Sequence, residues 1–168
     1  GGATGGDSNC AFGNLALRFN TANENCAFGA LALDANTSGT QNSAFGRSAL
    51  TDIVTAGSSS AFGFNALLVD TGGSNSAFGS GALDAITTST DACAFGLNAL
   101  GLNTAASNCA FGSGAADANT SGTQNCAFGR DALGAITTSG SCSAFGFNAL
   151  LLATGVNNCA FGSTAGDA

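Results

Sequence analysis

The tripeptide Ala-Phe-Gly occurs ten times in 168 residues, with its phenylalanines at Phe12, Phe28, Phe45, Phe62, Phe78, Phe95, Phe111, Phe128, Phe145 and Phe161. Successive spacings are 16 or 17 residues. Self-similarity at a fixed short period marks a stacked repeat, in which each unit buries its apolar face only against its neighbours. This period is too short for the common helix-pair repeats. A second period lies above the first, because each of the first five phenylalanines has a counterpart 83 residues on, and Asp34–Asn42 recurs letter for letter as Asp117–Asn125. The chain therefore reads as one repeat domain, 1–168, built of tandem five-coil blocks 7–89 and 90–168 with an open half-coil at each end.

Counting from each core Phe as zero, Ala fills positions −1 and +4 and Gly fills +1 in every repeat, while Leu holds +5 in all but Ala116 and Gly166. Asn recurs at −3 and Thr at +9, with Val54 the exception in the Thr column. Alternation over −2, −1 and 0 suits a short strand. Gly at +1 marks a bend, and a second short strand is expected from +4 to the Thr at +9, before a Ser/Gly/Asn turn. A Gly in every repeat and the Thr, Ser and Asn between repeats argue against helix. The fold class is all-β: a parallel β-solenoid of about ten coils with two short strands each, a rod of about 48 Å at the interstrand rise of a sheet.

On this reading the Phe and Leu columns form an inner stack, and Asn side chains bond to one another from coil to coil in an amide ladder. Alanine at −1 faces the other way, which indicates either a coil flat enough to cover both strand faces or, the reading preferred, a second rod packed against it.

Composition narrows the function. The chain carries ten acids against Arg18, Arg47 and Arg130, for a net charge of −7, and has no Lys, His or Pro. Without His or Lys, the usual general bases and imidazole ligands are missing, so an enzyme is not expected and no cofactor or metal is assigned. No basic patch is present to hold nucleic acid. No apolar run approaches the ~20 residues of a membrane span. Neither Gly1–Gly6 nor Thr71–Gly73 is followed by the Gly-Lys-Ser/Thr of a phosphate loop.

The pattern Asn-x-Ala-Phe-Gly-x-x-Ala-Leu, as in Asn42–Leu50, resembles the Asn-Thr-Ala-(Ile/Val)-Gly-x-x-Ala-Leu repeats of phage and giant-virus fibre proteins. It also looks like the head repeats of YadA-type trimeric adhesins. The resemblance covers nearly the whole chain, and implies a left-handed parallel β-roll in an elongated, often trimeric surface fibre. Phe in place of an aliphatic residue and Cys at −2 depart from that pattern.

Several side chains are candidates for more than packing. Cys10, Cys26, Cys93, Cys109, Cys126 and Cys159 share position −2 with four serines and form a column, read either as small buried thiols or as a strained axial disulfide ladder. Cys142 is displaced to −3. Asn36 and Asn119 start Asn-Thr-Ser acceptors for N-linked glycans, and Thr87, Thr88, Ser89, Thr90, Thr137, Thr138 and Ser139 could carry O-linked sugars. Arg18 falls beside Asp34 of the next coil, and across a head-to-tail junction Asp167 would lie on its other side.

These readings converge on the structural subunit of an extracellular fibre or filament that stacks on copies of itself through open ends, with lateral or trimeric association beside it. The alternative is the shaft of a trimeric viral tail fibre or cell-surface adhesin. A third reading takes the Thr column as an ice-binding face.

Overall fold

The computed structural model describes residues 6–167; residues 1–5 and 168, which include most of the Gly1–Gly6 stretch, lie outside the described residues. Each Ala-Phe-Gly copy forms a three-residue strand. In chain order these are β1 (Cys10–Phe12), β2 (Cys26–Phe28), β3 (Ser43–Phe45), β4 (Ser60–Phe62), β5 (Ser76–Phe78), β6 (Cys93–Phe95), β7 (Cys109–Phe111), β8 (Cys126–Phe128), β9 (Ser143–Phe145) and β10 (Cys159–Phe161). They make one ten-stranded parallel sheet in sequence order. Pairing is in register throughout, so Phe lies opposite Phe and Ala opposite Ala, as in β4 on β5. The protein is a β-solenoid with no helix among the described residues.

The second strand expected from +4 to +9 is replaced by consecutive turns. In coil 2, Ala32 N–H donates to Gly29, Asp34 N–H to Leu31 and Asn36 N–H to Leu33, three overlapping four-residue turns. The first two are of the type II kind, which needs positive φ at the third residue. Leu31 and Leu33 accordingly sit at φ 64° and 53°, and the same +3 and +5 positions are left-handed in coil after coil. Such a conformation is uncommon for a bulky residue and persists where surrounding structure over-determines it. Here two constraints hold it: the +5 leucines are buried, seven of them at 0% exposure, and their N–H groups bond axially, Leu33 to Ala49 and Leu50 to Ala66.

The two sheet faces are the reverse of the sequence expectation. Alanine at −1 points inward and is fully buried from Ala27 to Ala144, whereas Phe and Cys/Ser point outward. The turn segment runs so close beneath the sheet that the inner face accommodates a methyl group and no ring. Ala at −1, Ala at +4 and Leu at +5 form the core, joined at +8 by Ile53, Ile86 and Ile136. Ten alanines at −1 therefore need no neighbouring rod to explain them.

Gly63 shows why +1 is always glycine: its φ is +144°, and an added Cβ would collide with the carbonyl of Gly79 in the next coil. The same contact recurs along the column, so coils approach one another through bare backbone there.

Asn25, Asn42, Asn75, Asn108 and Asn125 at −3 are buried, but their side-chain amides do not bond to one another. The Asn25 side-chain oxygen accepts the backbone N–H of Asn42, 3.0 Å, while its Nδ2 donates to the carbonyl of Gly39, 2.8 Å. Asn42, Asn75, Asn108 and Asn125 repeat the arrangement. Amide-to-amide bonds occur instead at +8, from Asn36 to Asn20 at 2.6 Å and from Asn119 to Asn103 at 2.9 Å.

The placement of the two large apolar columns makes a measurable difference. Leu67→Ala opens a cavity in the core and is expected to cost about 2–5 kcal/mol. Phe62→Ala removes a half-exposed ring and is expected to cost roughly 1 kcal/mol. Chemical denaturation of the two variants checks the order, and a costlier Phe62 substitution would return that ring to the interior.

Candidate functional site

The outward face of the sheet is where this chain departs most from an ordinary solvent-facing surface. Nine consecutive ring pairs stack along it, with centroids 4.3 to 4.9 Å apart in all but the Phe12–Phe28 pair at 6.0 Å. Stacking half-buries the interior rings, while Phe12 and Phe161 at the ends stay 72% and 71% exposed. Phe64, Leu97 and Phe147 at +2 widen the apolar strip. Each arginine lies over a ring: Arg18 on Phe19, Arg47 on Phe64 and Arg130 on Phe147, at 4.2, 5.6 and 5.0 Å from the centroid. Cation–π contact thus absorbs all the positive charge of the chain into its aromatic surface.

Beside the rings runs the −2 column. Register places Cys10 on Cys26, and Cys93 on Cys109 on Cys126. All seven cysteines are free. The −2 thiols are exposed or half-buried, which corrects their reading as buried side chains. They share the outward face with Phe because positions two apart on a strand point the same way. Burial, first, and the neighbouring Cys93 and Cys126 push the Cys109 thiol up to about 11, and Cys26 is raised by burial and by Cys10. Cys142 is the one buried inside, where its Sγ approaches the carbonyls of Gly140 and Gly155 at 3.5 Å.

The glycosylation candidates do not survive. Asn36 and Asn119 are 0% exposed, and their amides donate to Gly39 and Gly122 across the turn as well as to the asparagine one coil back. A glycan on either Nδ2 has no room. Of the hydroxyls considered for O-linked sugars, Thr87, Thr88, Thr137 and Thr138 are exposed and Ser139 is buried. The Thr column at +9 is a ladder: Thr21, Thr37, Thr71, Thr104 and Thr120 each donate their hydroxyl to the +9 carbonyl of the next coil, at 2.7 to 3.0 Å.

Charge is arranged axially too. Arg18 pairs with Asp34 at 2.8 Å, as its position at +6 predicts. Asp167 turns back toward its own rod and accepts the N–H of Leu152 at 3.2 Å. Asp84 and Asp117 flank the side-chain-free Gly101, and both are raised above the usual carboxylate range, mainly by burial. The Asp117 charge adds to the shift at Asp84, and the Asp131 charge to that at Asp117.

One buried feature escaped the sequence reading although it was visible there. Ser59, Ala92 and Cys142 replace Asn at −3 in the repeats that directly follow Ile53, Ile86 and Ile136 at +8. Where +8 is polar the next −3 residue is asparagine, and Asn25 bonds to Asn20, Asn75 to Asp70 and Asn108 to Asn103. Asp70, fully buried, accepts bonds from Ser59, Gly72, Gly73 and Asn75.

No group of three or more His, Cys, Asp or Glu side chains converges on a metal position among the described residues. A recess of about 590 Å³ opens at the last coils, lined by Leu150, Leu152, Thr154, Asn158 and Asp167 among others. Coils, ladders and continuous sheet define a β-solenoid repeat protein. Comparison with protein-family models, curated proteins and solved structures gives no significant match.

Two solution tests follow. With iodoacetamide, Cys10 and Cys159 are expected to label first at pH 8, Cys109 to label fully only as the pH is raised toward 11, and Cys142 to label last; peptide mass mapping across a pH series reads the order. Asp84 and Asp117 hold protons more tightly folded than unfolded, so their contribution to stability is present in acid and lost as pH rises through their folded range. The contribution of these two groups to the melting temperature should therefore grow as the pH is lowered from 7 toward the ordinary carboxylate value near 4, and Asp117→Asn should flatten that dependence.

Proposed function

We propose that the protein is the structural subunit of an extracellular fibre or filament, a rod whose coils are continued end to end by coils of further copies. The observation that carries this reading is the identity of the coil-to-coil contact. Each coil completes its axial hydrogen bonds on the next, and β1 and β10 have the same Cys-Ala-Phe sequence and outward ladder as interior strands. Pairing β10 of one copy with β1 of another would set Cys159 on Cys10 and Phe161 on Phe12, covering the two most exposed rings. It would also place Asp167 near Arg18 and extend the stack over the recess at the last coils. A heterologous contact of this kind does not close on itself, and so it generates filaments. The low charge and the absence of Lys from the chain fit an extracellular material that trypsin-like proteases cleave poorly.

The outward Phe strip favours a second reading, the shaft of a trimeric fibre or adhesin, in which rods associate side by side through that face. Large exposed apolar patches commonly mark such contacts. Electron microscopy and light scattering on the purified chain separate the two. Unbranched filaments with an axial repeat near 4.8 Å support end-to-end growth. A discrete trimer mass supports the shaft, and a sharp monomer peak at high concentration would dismiss both.

A further inference from the structure

The thiol column has a geometry of its own that neither filament growth nor packing uses. Two runs of cysteines lie on the outer face, Cys10–Cys26 and Cys93–Cys109–Cys126, separated by Ser43, Ser60 and Ser76. Within each run the register sets successive thiols one interstrand spacing apart. Ser143 separates Cys159 from the second run, and Cys142 is buried on the other side of the wall.

Register decides what such a run can hold. In-register parallel strands keep equivalent Cβ atoms near the interstrand spacing of ~4.8 Å, whereas a relaxed disulfide needs about 3.8 Å. A cation in line between two sulfurs, with metal–sulfur bonds of about 2.3 Å, needs sulfurs about 4.6 Å apart. Sulfurs carried one above another at the interstrand spacing match the second distance. The column also offers sulfur in a line and nowhere in a tetrahedron, which disfavours zinc and suits a soft ion content with two thiolates.

We propose that these two runs bind monovalent thiophilic cations, copper(I) or silver(I), in linear two-coordination between successive coils. Cys10 and Cys26 hold one ion. Cys93, Cys109 and Cys126 hold two, with Cys109 bridging them. Binding breaks S–H bonds and forms S–metal bonds with no electron transferred: the pair releases two protons for one cation, and the run of three releases three protons for two cations. The net negative charge of the chain draws cations to the surface, and the half-exposed rings beside the column leave it open to solvent.

The test uses the reduced chain carrying Cys159→Ser, so that end-to-end contact adds no thiol. Serine already occupies −2 in four repeats, so Cys→Ser variants retain the fold. The protein is titrated with silver nitrate in chloride-free buffer containing a small monothiol that strips singly held silver. Bound silver is counted by elemental analysis and released protons by pH-stat. The expectation is about three silver ions and about five protons per chain. Adding Cys109→Ser should leave about one ion, because Cys93 and Cys126 are then two coils apart, and adding Cys93→Ser should leave about two. Equal losses of one ion for Cys93→Ser and Cys109→Ser would overturn the proposal. So would retention no greater than that of a chain with all five positions changed to Ser.

Discussion

The backbone hydrogen bond from one coil to the next is the interaction from which the rest of this structure follows. It runs at several positions around the coil: Gly29 to Phe12 and Cys26 to Asn42 at the strand, Leu33 to Ala49 in the turns, and Thr37 to Val54 at the far edge. Those bonds need every coil to trace the same path, and the period of 16 or 17 residues satisfies that need. Once paths coincide, equivalent side chains must lie one interstrand spacing apart, and each position becomes a column. A column tolerates whatever can stack on itself at that spacing, including phenyl rings, methyl groups, hydroxyls that bond to the carbonyl ahead, and bare glycine.

Position in the coil then separates structural columns from surface ones. Toward the axis the cross-section is too narrow for rings, so methyl groups and leucine fill it and the remaining polar ends are closed by asparagine. Those asparagines satisfy backbone groups that would otherwise be buried without partners, a more demanding role than pairing with each other. Away from the axis the large aromatic side chains need only lie flat on one another. Ten rings in a row reduce their own exposure without entering the core, so the chain maintains an apolar exterior on a rod with very little charge.

The periodicity, the parallel register, the glycine column and the pairing of Arg18 with Asp34 could all be read from the sequence, because each depends on spacing alone. What could not be read so simply was which face looks inward. Burial preference argues for Phe inside and leaves Ala over; the structure inverts this because lumen width, a property of the whole coil, outweighs the preference of one residue. The second strand failed for a related reason, since residues such as Leu31 and Leu33 are poor candidates for left-handed backbone until the coils around them impose it. Asn36 and Asn119 match a glycan acceptor by letter and sit in a turn, yet that turn faces the core. The exchange of Asn for Ser59, Ala92 or Cys142 opposite an isoleucine was the missed clue. It couples +8 of one repeat to −3 of the next, and the bonds from Asn25 to Asn20, Asn75 to Asp70 and Asn108 to Asn103 show the contact.

That coupling also explains why a repeat this regular still varies. Columns on the surface change freely between Cys and Ser, or among Arg, Phe, Leu and Ser at +2, since each needs only to fit beside its vertical neighbours. Where the +8 residue is Ile the following −3 residue is Ser59, Ala92 or Cys142, and where it is Asn or Asp the following −3 residue is Asn. The 83-residue duplication keeps most of these pairs, Ile53–Ser59 becoming Ile136–Cys142, while Asp70–Asn75 becomes Ala153–Asn158. Chemistry on this rod therefore belongs to the outer columns, where repetition at one fixed spacing, and not a pocket, is the feature a ligand or a second copy would recognise.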